Sequence, residues 1–335
     1  IMAVTIKDVA REANTSVSTV SKVMNNSYDV SQATAERVRA IALRMNYHPN
    51  VRAQNFAKGA SKTILFLTHL ERNIGFSNPH MFEILSGVEE TLRAKGYKLI
   101  IQSATQQEAC DIISEAAAQQ SADGVIIHAA VVTKQLDKIV SETMFPHTVI
   151  GIPAFPSHMC WIDSNNRLAG EMAARHLLQK GYKRIAFIGG AKEDEITQHR
   201  LYGMLTIFDE FGIKAEQGYI KHGDSTCKSG FNLANELLSM KQRPDAIICA
   251  NNYIAYGCVS GLQANHINIP KDIAVITFDD FPFSQVLFPQ LSVVNIDVYD
   301  IGQQAGKLIL SKIKKPNLYV QSYTTLPSLI EREST

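Results

Sequence analysis

The stretch Thr5–Asn25, TIKDVAREANTSVSTVSKVMN, decides how the amino-terminal part of this 335-residue chain folds. Thr5 reads as a helix cap, and Asp8 places a carboxylate in the first turn, where exposed amides and the helix dipole favour negative charge. Ile6, Val9 and Ala10 recur at helical spacing, and the pattern breaks at Ala13-Asn14-Thr15. Ser16 is placed to cap a second helix with Val20, Val23 and Met24 along one side. Its other side shows Val17, Ser18, Ser21 and Lys22, which are small, polar or basic and suit a surface that enters a groove. Two short helices joined in this way read either as an ordinary helical hairpin or as a helix-turn-helix, which delivers the start of its second helix to base edges in the DNA major groove. A third helix is expected from about Gln32 to Met45, capped by Ser31. Its stripe of Ala35, Val38, Ala42 and Met45 closes a three-helix bundle over Ile6, Val9, Val20 and Val23.

Charge is distributed unevenly. The chain carries a net +1, yet residues 1–60 hold eight Lys/Arg against four Asp/Glu, while the rest holds 25 against 28. A basic head on a faintly acidic body fits a nucleic-acid-binding module, because neutralising phosphates supplies the sequence-independent part of affinity. Hydrophobic content of 45% with 19% charged residues is that of a globular protein with room for more than one core. The five cysteines form no C-x-x-C pair, so buried thiols in a reducing compartment are expected, with no metal and no cofactor. No apolar run reaches membrane-spanning length and no signal peptide precedes the head, so a cytoplasmic location is expected.

From Thr63 the pattern changes. Short β-rich runs (Thr63–Thr68, Tyr97–Gln102, Gly124–His128, Thr148–Ile152, Arg184–Gly189, Ala246–Ala250, Ile273–Phe278) alternate with helical stretches such as Phe82–Lys95, Leu168–Lys180 and Gly230–Met240. This alternation predicts an α/β body of doubly wound parallel sheets, and its length predicts two lobes.

TIKDVA followed by TSVSTVSKVMN resembles the DNA-binding head of the lactose/galactose repressor (LacI/GalR) family. Asn46–Asn50, NYHPN, resembles that family's approach to its hinge, and the tail Leu326–Thr335 resembles its closing strand with the R-E-S-T ending. The resemblance covers nearly the whole chain. It implies a head over residues 1–48, a hinge helix and linker over 49–60, and a periplasmic-binding-protein-like body whose chain crosses between lobes near Trp161, Asn295 and Tyr319. The lobes would then comprise 61–160 plus 296–318 and 161–295 plus 319–335.

By the same resemblance, Thr5, Ser16, Thr19, Ser21 and Asn25 contact phosphates, joined by Ser31 and Thr34 at the start of helix three. Val17, Ser18 and Lys22 occupy the base-reading positions. Lys22 suits the O6/N7 edge of guanine, and the competing reading is a plain phosphate contact. Between Asn50 and Gly59 there is room for about two helical turns, too short to be stable alone. In the family this hinge forms on DNA and wedges an apolar side chain into the minor groove. Asn50, Ala53 and Phe56 are the candidates here, with Phe56 standing where leucine is usual.

Four stretches match the family's ligand loops: Asn78–Met81, Arg200–Gly203, Ala250–Asn252 and Thr277–Asp280. They nominate His80, Met81, Arg200, Asn251 and Asp279 for a hydroxyl-rich or weakly acidic small molecule, a sugar or sugar derivative. Each has a plainer competitor: Asp279 reads equally as a turn cap, Asn251 as a helix cap and Arg200 as a surface charge. Asp163 reads as structural. Ser225, Gly151, Ile152, Asp194 and Ile196 depart from the positions that sugar- and purine-binding relatives use, so no particular ligand follows.

No nucleophile elbow, P-loop, zinc-protease motif or dinucleotide fingerprint occurs, which argues against an enzyme. The expectation is a ligand-responsive transcriptional repressor that binds an inverted-repeat DNA operator as a homodimer, since no leucine heptad follows the tail to make tetramers. The ligand could act as inducer or as co-repressor. A solute-binding protein would share the body but has no use for residues 1–60.

Overall fold

In the computed structural model, the residues described are 4–25, 29–47, 60–70, 79–316, 318 and 322–335. The chain divides into two compact units, Ile1–Lys62 and Thr63–Thr335. The expected hinge residues Asn50, Ala53 and Phe56 lie outside the described residues, as do Asn78 and Tyr319.

The first unit contains α1 (Ile6–Glu12), α2 (Val17–Met24) and α3 (Gln32–Arg44). The Asp8 carboxylate accepts from both the amide (3.0 Å) and the hydroxyl (2.7 Å) of Thr5, which starts α1 and holds the Asp8 carboxyl below its ordinary range. Ser16 caps α2 by accepting from the Thr19 amide at 3.0 Å. Ser31 stands at the start of α3 as expected but makes no side-chain cap bond; its hydroxyl donates to Thr34 Oγ1 instead. Val9, Ala10, Ala13, Val20, Val23, Val38 and Ala42 form the buried core, with Ile6, Ala35 and Met45 packed around it. The bundle read from the helical stripes is therefore the one that forms.

The second unit holds two six-stranded sheets. The first has the order β11-β5-β4-β3-β1-β2, built from β1 (Thr63–Thr68), β2 (Lys98–Ser103), β3 (Gly124–His128), β4 (His147–Ile150), β5 (Trp161–Ser164) and β11 (Ser322–Thr325), all parallel. The second has the order β12-β10-β9-β8-β6-β7, with β6 (Ile185–Gly189), β7 (Ile220–His222), β8 (Ala246–Cys249), β9 (Ala274–Phe278), β10 (Ser292–Asn295) and an antiparallel β12 (Ser328–Ile330). Strands buried on both faces explain the continuous apolar runs, such as Ile185–Gly189 and Ala274–Phe278.

Around these sheets lie α4 (Pro79–Arg93), α5 (Gln106–Gln119), α6 (Lys134–Thr143), α7 (Asn166–Gln179), α8 (Glu195–Glu210), α9 (Cys227–Leu238) and α10 (Asn252–Ala264). The short α11 (Pro282–Val286) and the long α12 (Val298–Lys314) follow. Two of the expected crossings move. Trp161 opens β5, which pairs with β4 and β11, so the chain leaves the first lobe after Ser164. Likewise β11 still belongs to the first sheet, so the last crossing falls at Leu326-Pro327. Alternating hydrophobicity marks a strand without naming the sheet it joins, so only the pairings assign these two short strands to the first lobe. β10 ends at Asn295, and α12 then packs on the first sheet.

Helix pairs in this body meet through glycine. A Cβ at Gly170 of α7 would lie 2.0 Å from the Arg200 carbonyl oxygen of α8, and one at Gly203 of α8 would lie 2.1 Å from the Arg167 carbonyl. The two backbones touch where no side chain fits, and this contact fixes the position of Arg200 on α8. Among the described residues no helix is long and apolar enough to cross a membrane.

Candidate functional sites

On the head, the buried side of α2 leaves Val17, Ser18 and Lys22 exposed together. Thr5, Ser16, Asn25 and Ser31 are also exposed, while Thr19, Ser21 and Thr34 are partly buried. Ser16 and Asn25 mark the two ends of α2: Ser16 as its cap, Asn25 donating from Nδ2 to the Ser21 carbonyl at 2.9 Å. Two head arginines are held by carboxylates, Arg11 by Asp8 at 2.8 Å and Arg44 by Glu12 at 2.6 Å. Lys22 Nζ lies 3.6 Å from Asp29 Oδ2.

In the body, three of the five expected ligand residues come together where the lobes meet. Arg200 is 3% exposed and Asp279 is 5% exposed, with Arg200 Nη2 3.7 Å from Asp279 Oδ2. The guanidinium also donates from Nε to Asn166 Oδ1 at 3.0 Å and from Nη1 to the Ala250 carbonyl at 2.5 Å, and it lies 4.2 Å from the Phe278 ring centroid. From the first lobe, His80 brings Nδ1 to 4.0 Å from Asp279 Oδ2 and sets its ring edge-on to Phe281 at 5.7 Å. Burial lowers the His80 pKa against the pull of Asp279, and burial also lowers that of His128, whose charged form His80 further disfavours.

The second half of the cluster was not expected. Asn252, 2% exposed, donates from Nδ2 to the carbonyls of Phe278 and Asp279 at 2.9 Å each and accepts from Ser284 Oγ at 3.1 Å. This clamp holds Asp279 at a left-handed φ of +66°, a conformation costly for a non-glycine residue unless its surroundings impose it. Next to it, Asp280 accepts from Arg332 Nη2 at 2.8 Å, and Arg332 also donates to the Leu291 carbonyl. Ser334, fully buried, donates to the Val275 carbonyl, so the R-E-S-T tail braces the strand that leads into Asp279.

Asn251 is placed differently from its expectation: its Oδ1 caps α10 by accepting from the Ile254 amide at 2.9 Å, and its neighbour Asn252 occupies the cluster. Met81 packs against the inner core of the first lobe. Asp163 does reach the site. Burial pushes its carboxyl up to about 6, against the opposing pull of the Ser164 amide and of Arg200. The only trace of Asn166 and Asn252 in the sequence is their place beside helix caps, because their partners come from residues 26 to 34 positions away. Asp279 Oδ1 and Asp280 Oδ1 are buried with no hydrogen-bond partner among the described residues.

Residues 5–50 match the family described as bacterial regulatory proteins, lacI family, and residues 174–335 match the periplasmic binding protein-like domain. The chain is 28% identical over 333 residues to the HTH-type transcriptional repressor PurR of Vibrio atlanticus (strain LGP32), with 98% of each chain covered. It is 29% identical over 332 residues to the ribose operon repressor of Escherichia coli (strain K12), covering 98% of this chain and 99% of that one. Among solved structures, the transcriptional regulator CelR–cellobiose complex matches with a TM-score of 0.74 at 25% identity over 99% of this chain and 100% of that one. The Lac repressor dimer bound to operator and the anti-inducer ONPF shares the fold, with a TM-score of 0.86 at 22% identity over 99% of each chain. A three-helix head with a capped, outward-facing second helix, followed by two parallel-sheet lobes that meet on a buried polar cluster, thus agrees with both matches: the chain joins a helix-turn-helix head of the lacI family of bacterial regulatory proteins to a periplasmic binding protein-like body.

Proposed function

We propose that this protein represses a carbohydrate or related catabolic operon, and that a small molecule held by Arg200, Asp279 and His80 sets its hold on the operator. The carrying observation is the 4.0 Å approach of His80 in one lobe to Asp279 in the other. A ligand that inserts hydrogen bonds between them binds different lobe arrangements unequally, which is what a switch requires. The buried Asp279 Oδ1 favours a ligand with O–H or N–H donors. With Asp163 and Asp279 against the single guanidinium of Arg200, a neutral hydroxyl-rich molecule suits the site better than a sugar acid or phosphate.

The DNA contacts we assign to Thr5, Ser16, Thr19, Ser21, Asn25, Ser31 and Thr34 for phosphates, and to Val17, Ser18 and Lys22 for bases, rest on their position along α2 and at the ends of its neighbours, where all but Thr19, Ser21 and Thr34 are exposed. The protein acts as a cytoplasmic homodimer without catalytic activity. The dimer reading is supported by the exposed apolar surface of Phe82, Ile100 and Ile101, beside a groove of about 490 Å³ that Leu85, Leu99 and Tyr299 also line. The test is fluorescence-anisotropy titration against an operator selected from random palindromic duplexes, with and without sugars, polyols, sugar acids and nucleosides. Operator preference that a neutral polyol shifts supports the reading; equal binding to random duplex under every condition defeats it.

A further inference from the structure

The second lobe carries a basic cavity at the opposite end of its sheet from the Arg200–Asp279 cluster. Ala250 and Asp279 stand just past the carboxyl ends of β8 and β9, whereas this cavity, of about 670 Å³, lies at the amino ends of β6, β8 and β9. Arg184, Lys241 and Arg243 line it, together with the apolar side chains of Met240, Ile267 and Ile273. Hydrogen bonds to the backbone fix the arginines. Arg243 donates from Nε to the Leu238 carbonyl at 2.8 Å, and Arg184 from Nε to the Arg243 carbonyl at 2.9 Å. Tyr219 donates its hydroxyl to the Gln242 carbonyl at 3.1 Å, which ties down the loop 239–245 that carries Lys241 and Arg243. A guanidinium anchored through Nε presents its Nη donors to an oxyanion without losing further freedom. The nearby acids are engaged by backbone. Asp245 accepts from the amides of Lys183 and Arg184 at 2.8–3.2 Å, with Arg184 Nη2 at 3.6 Å. Asp272 accepts from the amide and Nδ2 of Asn268 at 2.8 Å each, bonds that hold its carboxyl below its ordinary range. Three cations against the one carboxylate of Asp272 leave the cavity electropositive.

We propose that this cavity is a second small-molecule site, separate from the cleft between the lobes, and that it takes a nucleoside phosphate. Arg184, Arg243 and Lys241 receive the phosphate oxygens, and the wall of Met240, Ile267 and Ile273 receives the base. The volume lies in the range of small-molecule pockets. The wall favours a flat aromatic ring over a sugar, because its aliphatic side chains offer hydroxyls no hydrogen-bond partner, while the Met240 thioether suits an aromatic face. An inorganic anion satisfies the cations but leaves that apolar wall in water, so it binds more weakly than an anion that carries a base.

The test is isothermal titration calorimetry on the full-length protein with ADP, glucose 6-phosphate, inorganic pyrophosphate and adenosine. ADP should bind saturably, and each of the other three at least about tenfold more weakly. Arg243→Gln should weaken ADP binding by about tenfold and Lys241→Gln by about threefold. Lys183→Gln removes an exposed positive charge beside Arg184 but outside the cavity lining, and should leave ADP binding within about twofold of the parent. Thermal melts check that the variants fold; Lys241 is exposed, so its variant decides the matter should Arg243→Gln fail to fold. Absence of saturable ADP binding overturns the proposal, as does ADP binding that neither cavity variant weakens, which would put the nucleotide elsewhere. Equal weakening by all three variants would show only general surface charge, and pyrophosphate or glucose 6-phosphate binding as tightly as ADP would remove the base from the wall; either result also overturns it. The measurement needs no operator, so its outcome is independent of the repression reading.

Discussion

His80, at the start of α4, holds its Nδ1 4.0 Å from Oδ2 of Asp279, just after β9, so the two lobes touch through a pair of side chains either of which can be exchanged for a ligand hydroxyl. Asp279 meanwhile stands 3.7 Å from a guanidinium that is itself buried. Asp279→Ala removes that buried cation's ion-pair partner, and its loss should lower stability by about 3 kcal/mol. Asp279→Asn keeps the shape and should leave operator affinity within about twofold of the parent, while the ligand no longer shifts it. Anisotropy with and without the ligand found by screening checks this; a normal response in the Asn variant would remove Asp279 from the site.

Gly170 positions Arg200 from behind. A methyl at Gly170 would lie 2.0 Å from the Arg200 carbonyl oxygen, and backbone cannot give way as a side-chain tip can. Gly170→Ala should destabilise the second lobe by roughly 1–3 kcal/mol, despite the better helix propensity of alanine, and weaken ligand binding at the same time. Urea titration followed by ligand titration measures both. An unchanged midpoint would mean that α7 and α8 separate at little cost.

Lys22→Ala should lower operator affinity by about 1–3 kcal/mol and random-duplex affinity by much less, with a salt slope reduced by no more than about one. Equal losses on the two duplexes would make Lys22 a phosphate contact.

Two partly buried groups give stability opposite pH dependences. Burial brings the His147 imidazole down from 6.5 to about 4, so the unfolded chain takes up its proton first. The His147 contribution is complete above pH 6.5 and is lost as pH falls toward 4. Burial brings Asp163 up from 3.8 to about 6, so its contribution is greatest below pH 3.8 and is lost as pH rises through 6. Asp163→Asn should therefore raise stability at pH 7.5, by an amount on the order of 2 kcal/mol, and leave it unchanged near pH 4. His147→Gln should flatten the acid side of the curve. Thermal melts across a pH series decide, and curves parallel to the parent's would refute both assignments.

Ile101→Asp places a charge in the apolar surface with Phe82 and Ile100. If that surface joins two copies, sedimentation should give a monomer, and affinity for an inverted repeat should fall at least tenfold because only one head engages at a time. A dimer that persists unchanged would place the interface elsewhere.

The head was readable from sequence because its information is local. Thr5, Asp8 and Ser16 act within one helical turn, and the stripe from Ile6 to Ala42 reports its own burial through its period. The α/β alternation of the body was readable for the same reason, as was the nomination of Arg200 and Asp279 by matched motifs. What sequence could not assign were pairings between distant segments. Short β5 and β11 carry no mark of the sheet they join, so two crossings moved. Asn251 and Asn252 are chemically alike, and only the carbonyls of Phe278 and Asp279, brought up by β9, decide that the second enters the cluster while the first caps a helix. Asp163 owes its raised pKa to burial, which local spacing does not report. Local spacing determined which segments are helices and strands and which face of each is apolar. Tertiary packing alone decided which polar groups lose water together, because desolvation and charge coupling depend on distance in space.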